Sequence, residues 1–196
     1  MYGGNIDFYD IKGVADALLK TIRIYDCDYV RTSDSNAFDE ASAFHPGRSA
    51  VILKDGKAIG ILGEIHPDVA ENYGIEVKVY AAKLNVPEML KLSEKEVTYK
   101  PMPKFPATTR DLSLICDDNL PAASIEKAIK KAAGKVLEKV TLFDVYKGKQ
   151  IEEGKKSISY SISMRSHDGT LTDEQADSVM KKVLKALKDI GADLRM

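Results

Sequence analysis

The side chains that are best suited to bind a partner lie between residues 143 and 172. Tyr146 offers a flat ring that can stack on a nucleobase. Asp144 and Ser157 offer a carboxylate and a hydroxyl that can hydrogen-bond the polar edge of a base. Small hydroxyl side chains also let a flat partner approach the backbone closely. We therefore expect a surface for stacking and hydrogen bonding in this stretch.

Two neighbouring strands would position these side chains. From Lys156 to Arg165 the sequence alternates with a period of two, which indicates a strand with one buried face. The apolar side points into the core, and the other side carries Ser157, Ser159, Ser161 and Ser163; we call this side the serine face. In the preceding strand, Val140 to Tyr146, alternation places Leu142, Asp144 and Tyr146 together. Because aspartate is a poor core residue, we assign this set to the serine face and expect that face to be open.

The second half of the chain predicts a ferredoxin-like βαββαβ order. The capping signals are clear: Pro121 and Gly134 bracket the first helix, and Thr172 with Gln175 forms a capping box before the second. Two helices would then cover one side of a four-stranded sheet. The predicted elements are a strand at Arg110–Cys116, a helix ending at Gly134, strands at Val136–Tyr146 and Lys155–Arg165, a helix from Thr172 to Gly191, and a short edge strand at Asp193–Met196.

The first half predicts an antiparallel sheet with a few helices packed on it, so the fold class is α+β. Asp55-Gly56 between two apolar runs is a strong hairpin signal. Residues Ser93 to Thr109 contain three prolines and no apolar periodicity, which indicates a boundary. We expect a first domain over 1–95, a proline-rich linker over 96–109 and the ferredoxin-like domain over 110–196.

The bulk composition is that of an ordinary soluble protein, with 196 residues of which 44% are hydrophobic and 30% charged. No apolar run approaches the ~20 residues that a membrane span needs, and the N-terminus does not have the pattern of a signal peptide. Cys27 and Cys116 are far apart in sequence, which favours reduced thiols and a cytoplasmic location. Basic residues exceed acidic ones only in the second half, where an anionic partner is therefore more plausible.

The remaining candidates for chemistry have plain structural interpretations. His45, His66 and His167 lack metal-ligand spacing, so we expect turn and capping roles. Arg48 could bind a carboxylate or phosphate, but we favour an ion pair with a nearby acid. The loop from Lys147 to Lys156 is expected to be a flexible basic hairpin, either solvated or in contact with phosphates. No nucleophile-and-base set or P-loop is present, so no catalytic or metal residue is predicted.

Ordered motifs along the chain resemble the β subunit of bacterial phenylalanyl-tRNA synthetase. The second half is similar to its ferredoxin-fold anticodon-binding domain through Phe105-Pro106-Ala107, Arg110-Asp111-Leu112, Leu142 to Tyr146 with Gly148, Glu153 to Ser157, Arg165-Ser166 and Thr170 to Glu174. The first half resembles the preceding module, a class II synthetase catalytic-like fold without an active site, through Phe8 to Gly13, His45 to Ala50 and Gly63 to Pro67. The loop after Tyr146 departs from the usual basic pattern at Glu152 and Glu153.

The resemblance implies a C-terminal portion of an α2β2 enzyme that ligates phenylalanine to tRNA-Phe with ATP and magnesium. Catalysis would belong to the α subunit, so the chain alone would be inactive and would bind no cofactor. Its partners would be tRNA-Phe, the α subunit and the rest of the β subunit, with no membrane. The resemblance assigns the anticodon-stacking ring to Tyr146 and the hydrogen-bonding hydroxyl to Ser157, with Asp144 on the same face. To these we add Arg110, Lys155 and Arg165 for phosphate or base contacts.

Two rival hypotheses follow from the residues alone. The same sheet could serve a stand-alone protein-interaction or small-ligand-binding module. The second rival hypothesis is an independent enzyme that uses Arg48 and the histidines. The absence of a nucleophile, a metal-ligand set and a P-loop from the sequence argues against it.

Overall fold

The structure is a computed structural model that describes residues 1–94, 96, 99, 101–166 and 168–195. His167, one of the three predicted turn histidines, lies outside the described residues. The chain divides into two compact units, Met1–Tyr99 and Lys100–Met196. Both contain antiparallel sheets and α-helices, which confirms the α+β fold class.

The first unit is a four-stranded antiparallel sheet with three α-helices. Its strand order is β1-β2-β3-β4. The Asp55-Gly56 hairpin is confirmed, and both residues have the positive φ angles, 51° and 76°, that this two-residue turn needs. The elements are α1 (Phe8–Thr21), β1 (Asp28–Arg31), β2 (Phe44–Lys54), β3 (Lys57–Ile65), α2 (Pro67–Asn72), β4 (Tyr80–Leu84) and α3 (Val86–Leu92).

Helix α1 forms because its ends are capped and one side is apolar. The Asp7 carboxylate accepts from the backbone of Tyr9 and Asp10, and the Asp10 carboxylate accepts in return from the Asp7 N–H at 2.7 Å. Residues spaced four apart, Ile11, Ala15 and Leu19, are buried against the sheet core.

The second unit has the predicted βαββαβ order. Its strands are arranged β6-β7-β5-β8, so the two middle strands in space are the first and third in sequence, which confirms the ferredoxin-like plan. The elements are β5 (Thr108–Asp117), α4 (Ala122–Ala133), β6 (Leu137–Tyr146), β7 (Lys155–Met164), α5 (Asp173–Lys188) and β8 (Ala192–Leu194). Helix α5 begins at the predicted capping box of Thr172 and Gln175.

Helices α4 and α5 cover one side of this sheet. The core between them contains the apolar side of β7, namely Ile158, Tyr160, Ile162 and Met164, together with Leu112, Leu114 and Cys116 of β5. The apolar side of β7 thus points into the core, as predicted. Since side chains alternate along a strand, the serines of β7 lie on the opposite side of the sheet.

Strand β6 contains a β-bulge that the sequence pattern does not reveal. Leu142 pairs with the buried Tyr160, whereas Asp144 pairs with Ser159, so Phe143 is an extra residue between two ladder positions. The prediction that Leu142 shares a side with Asp144 and Tyr146 is therefore wrong. The bulge reverses the side of the sheet that alternate residues occupy.

Two further expectations concern the cysteines and the membrane. Cys27 and Cys116 are both free thiols, as predicted; Cys116 is buried and Cys27 only half-buried. Within the described part of the chain, every helix is too short or too polar to cross a lipid bilayer.

Candidate nucleic-acid interface

The serine face is a set of side-chain rows that run across the four strands. One row contains Tyr146 of β6, Ser157 of β7, Ile115 of β5 and Asp193 of β8, which are paired in register. The adjacent row contains Asp144, Ser159 and Ser113, and the hydroxyls of the two serines lie 2.9 Å apart. The structure thus brings Tyr146, Asp144 and Ser157 to one end of one side of the sheet, as predicted.

Tyr146 is the aromatic side chain of this surface. It ends the edge strand β6 and remains 38% exposed, so part of its ring is available to a partner. Asp144, two residues earlier, is also exposed. The bulge at Phe143 puts both on the serine face, because the extra residue moves Asp144 and Tyr146 to the side of the sheet opposite Leu142.

Ser157 is not open, and that part of the prediction is wrong. The residue is only 1% exposed, and its hydroxyl accepts a hydrogen bond from Nη1 of Arg195 at 3.3 Å. A small side chain on an inner strand lies below its larger neighbours, and here Tyr146 is directly opposite it and Arg195 reaches over it.

Arg195 is a member of this surface that sequence reasoning missed. Its backbone N–H donates to the carbonyl of Ser113 at 2.9 Å, which places its exposed side chain beside Ser157. The predicted edge strand at 193–196 gave the only sequence signal, since an edge strand beside β5 must carry its last residues onto this sheet. A guanidinium can bond phosphates or base edges in a planar, bidentate manner.

The hairpin loop after Tyr146 contains specific hydrogen bonds and ion pairs. Ile151 is buried, its N–H donates to the Gly148 carbonyl at 2.9 Å, and Lys147 forms an ion pair with Asp118. Lys155, a predicted site residue, lies at the start of β7, and its ammonium is 2.6 Å from the Glu152 carboxylate. This contact raises the pKa of Lys155 above its usual range, so the group remains cationic. Its charge is already shared with an acid.

Arg110 does not belong to this surface. It alternates with the inward-pointing Leu112 of β5 and pairs in register with the buried Ile162, so it lies on the helix side of the sheet. There its guanidinium is 2.7 Å from Asp173 and 3.7 Å from Asp177 at the start of α5. These acids at the helix N-terminus are its ion-pair partners in the structure.

Arg165 shares the serine face but is remote from Tyr146. About eight residues of strand separate it from Ser157, or roughly 26 Å at ~3.3 Å per residue. Its Nε lies 2.9 Å from Glu138, and a second nitrogen donates to the Phe105 carbonyl. Arg165 therefore anchors the segment before β5, and it cannot reach the same nucleotide as Tyr146.

In the first unit, Arg48 binds a buried acid, as favoured. Its Nη2 donates to Oε1 of Glu64 at 2.8 Å, and the Tyr80 hydroxyl donates to Oε2 of the same carboxylate at 3.1 Å. The Arg48 hydrogen bond holds the pKa of Glu64 below its ordinary value. Arg48, the side chain of this unit that is best suited to bind a phosphate, is thus already paired with Glu64. The serine face is therefore the stronger candidate for a nucleic-acid interface.

His45 and His66 have the predicted local roles. Nδ1 of His45 accepts from the Gly47 N–H at 3.0 Å, and Nδ1 of His66 accepts from the Asp68 N–H at 3.3 Å at the start of α2. In a neutral imidazole with Nδ1 as acceptor, the proton is on Nε2, which then has no lone pair for a metal. Among the described residues, no group of three or more His, Cys, Asp or Glu side chains could hold a metal ion.

The strand order β6-β7-β5-β8 is that of a ferredoxin-like fold. Residues 103–195 match the family described as "Ferredoxin-fold anticodon binding domain". Residues 2–86 match the family described as "Phenylalanyl tRNA synthetase beta chain CLM domain". With both matches on one polypeptide, the chain belongs to the family of phenylalanine–tRNA ligase beta subunits.

Curated relatives match along the whole chain. The phenylalanine–tRNA ligase beta subunits of Clostridium acetobutylicum and Clostridium tetani are 41% and 43% identical to it over 196 residues, and that of Bacillus subtilis is 36% identical over 185 residues. The match covers 100% of this chain and 24% of each clostridial protein, and 94% of this chain and 22% of the Bacillus protein. The chain thus spans about a quarter of the length of these relatives.

Proposed function

We propose that residues 110–196 bind the anticodon nucleotides of tRNA-Phe on the serine face, with Tyr146 as the stacking platform. The observation that carries this proposal is the partly exposed Tyr146 ring at the end of the sheet face opposite helices α4 and α5, next to Asp144 and Arg195. An aromatic ring can stack on any base, while a carboxylate and a guanidinium can bond base edges or phosphates.

The members of this surface take different roles. Asp144 accepts from an amino group of a base, and Arg195 and Lys155 contact base edges or phosphates. Ser157 lies beneath Arg195, so it acts by orienting the guanidinium through the 3.3 Å hydrogen bond. Arg110 and Arg165 stabilise the domain through their acidic partners and are not part of the contact.

The whole enzyme would be an α2β2 phenylalanine–tRNA ligase of class II in the cytoplasm, with this chain as a portion of its β subunit. ATP and magnesium would act at the α subunit. In the first unit, Arg48 pairs with Glu64, and His45 and His66 accept from backbone N–H groups, which supports placing the nucleotide site on the other subunit. The first unit, over residues 1–95, is proposed as the inactive catalytic-like module that holds the α subunit, and 96–109 as the linker.

A binding titration tests the anticodon contact. The full chain is titrated with a fluorescent RNA stem-loop that carries a phenylalanine anticodon. Replacing Tyr146 by alanine should weaken binding by ~1–3 kcal/mol, because one base loses its stacking platform. Tyr73→Ala, which removes a highly exposed tyrosine of the other unit, is the matched control and should have no effect.

Two outcomes would contradict the proposal. If the Tyr146→Ala variant binds the stem-loop with unchanged affinity, the Tyr146 ring does not contact the RNA. Equal affinity for the stem-loop and for heparin, an unrelated polyanion, would favour the rival function, a protein-interaction or small-ligand module on the same sheet. Exposed apolar side chains on the edge strand β6, such as Phe143 at 56%, are the feature that favours this rival.

A further inference from the structure

Gly148 lies against the ring of Tyr146. A Cβ atom added at position 148 would clash with the Tyr146 hydroxyl oxygen and would lie 2.6 Å from Cζ and 3.2 Å from Cε1. These atoms are the tip and one edge of the ring. Real Cβ atoms essentially never come within 3.0 Å of a non-bonded heavy atom, so only glycine permits this position of the ring.

The backbone conformation does not require glycine at this position. Gly148 is not among the glycines with positive φ, so an alanine could adopt its backbone angles without strain. Gly154, at the other end of the same loop, is the opposite case. It has a φ of 82° and nothing within 4 Å of an added Cβ. Gly154 is therefore required by the backbone conformation of the loop, whereas Gly148 is required only by the neighbouring Tyr146 ring.

The loop backbone is held more firmly than the ring. The Gly148 carbonyl accepts from the N–H of the buried Ile151, and the adjacent Lys147 is paired with Asp118. The atoms that an added Cβ would meet are at the far end of a side chain with two rotatable bonds. A methyl group at position 148 should consequently displace the ring and leave the fold intact.

We propose that Gly148 is a positioning residue that sets the orientation of the Tyr146 ring before RNA binds. One edge of the ring rests on the loop, and the residue is 38% exposed, which leaves part of the ring available to a base. A ring that is already ordered loses less rotamer freedom when the complex forms. This inference rests on the proposed function, in which Tyr146 stacks on an anticodon base.

The test is a double-mutant cycle in the full chain with two readouts. The first readout is the NMR signals of the Tyr146 ring in the free protein. The second is affinity for the RNA stem-loop with a phenylalanine anticodon. Gly148→Ala should shift the ring signals and weaken binding roughly 3–10-fold. Gly169→Ala should change neither, because Gly169 has nothing within 4 Å of an added Cβ and no positive φ.

The cycle separates positioning from other effects. In the Tyr146→Ala background, Gly148→Ala should no longer alter the affinity. An equal loss in both backgrounds, or ring signals that do not move, would overturn the inference. If Tyr146→Ala alone leaves RNA binding unchanged, the stacking function fails, and the ring signals of Gly148→Ala still decide whether Gly148 positions the ring. Hydrogen exchange of β6 and β7 confirms that each variant is folded.

Discussion

Arg195 provides the sharpest test of how the serine face meets RNA. Among the described residues, its side-chain hydrogen bond goes to the neutral hydroxyl of Ser157, and no carboxylate forms an ion pair with it. By contrast, Arg165 on the same face is bound by the Glu138 carboxylate at 2.9 Å and 3.1 Å. If Arg195 contacts a phosphate, the Arg195→Gln variant should lose affinity, and it should also lose part of the salt dependence of binding.

The magnitude follows from counterion release. Each phosphate that is neutralised on a single strand contributes ~0.7 to the slope of log K against log salt concentration. The slope should therefore fall by ~0.7 in Arg195→Gln. Between ~50 and ~200 mM salt, the ratio of wild-type to variant affinity should shrink by ~2.6-fold, which is a fourfold salt change raised to this power.

The assay is fluorescence anisotropy of a labelled anticodon stem-loop over a salt series. Arg165→Gln is the matched control, since it removes the same charge from the distant end of the face and should leave the slope unchanged. Identical slopes for wild type and Arg195→Gln would exclude a phosphate contact by Arg195. Equal decreases for both variants would show that only the general positive field of the domain matters.

Two further predictions concern the first unit. Gly63→Ala should destabilise it by ~2–4 kcal/mol in urea unfolding followed by hydrogen exchange, because φ is 149° and an added Cβ would lie 2.5 Å from the Arg48 carbonyl; unchanged exchange in β2 and β3 would contradict this. Glu64→Gln should cost ~1–3 kcal/mol at pH 7. Because the pKa of Glu64 is lowered in the folded state, its carboxylate stabilises the fold at pH values above its ordinary pKa of about 4.5. This contribution is lost as the pH falls through the lowered pKa. The stability of the Glu64→Gln variant should therefore depend less on acid pH than that of wild type.

The overall arrangement of the fold could be predicted because local signals agreed with the topology. The alternation along β7 identified its core side, Asp55-Gly56 fixed one hairpin, and the capping box at Thr172 marked the start of α5. The bulge at Phe143 could not be predicted, since an inserted residue leaves no mark in a short alternating pattern.

The candidate site was harder to predict than the fold because it depends on contacts between distant residues. Ser157 is buried partly through Arg195, which is 38 residues away in sequence. Arg110 is different, since the same alternation that placed Leu112 in the core also placed Arg110 on the helix side. Arg110 is an addition to the residues that the family resemblance assigns, and the register of β5 with β7 places it on the helix side of the sheet.

Tyr146, Ser157 and Arg195, at one end of the serine face, lie closer together than the width of the sheet suggests. Strands β6 and β8 are three strand spacings apart, or ~14 Å at ~4.8 Å each. Arg195 follows β8, yet its guanidinium reaches Ser157 on β7, which is directly opposite Tyr146. The cation is thus about one strand spacing from the aromatic residue. A base that stacks on the ring would bring its own edge or phosphate to the guanidinium, so the buried serine can influence recognition without touching RNA.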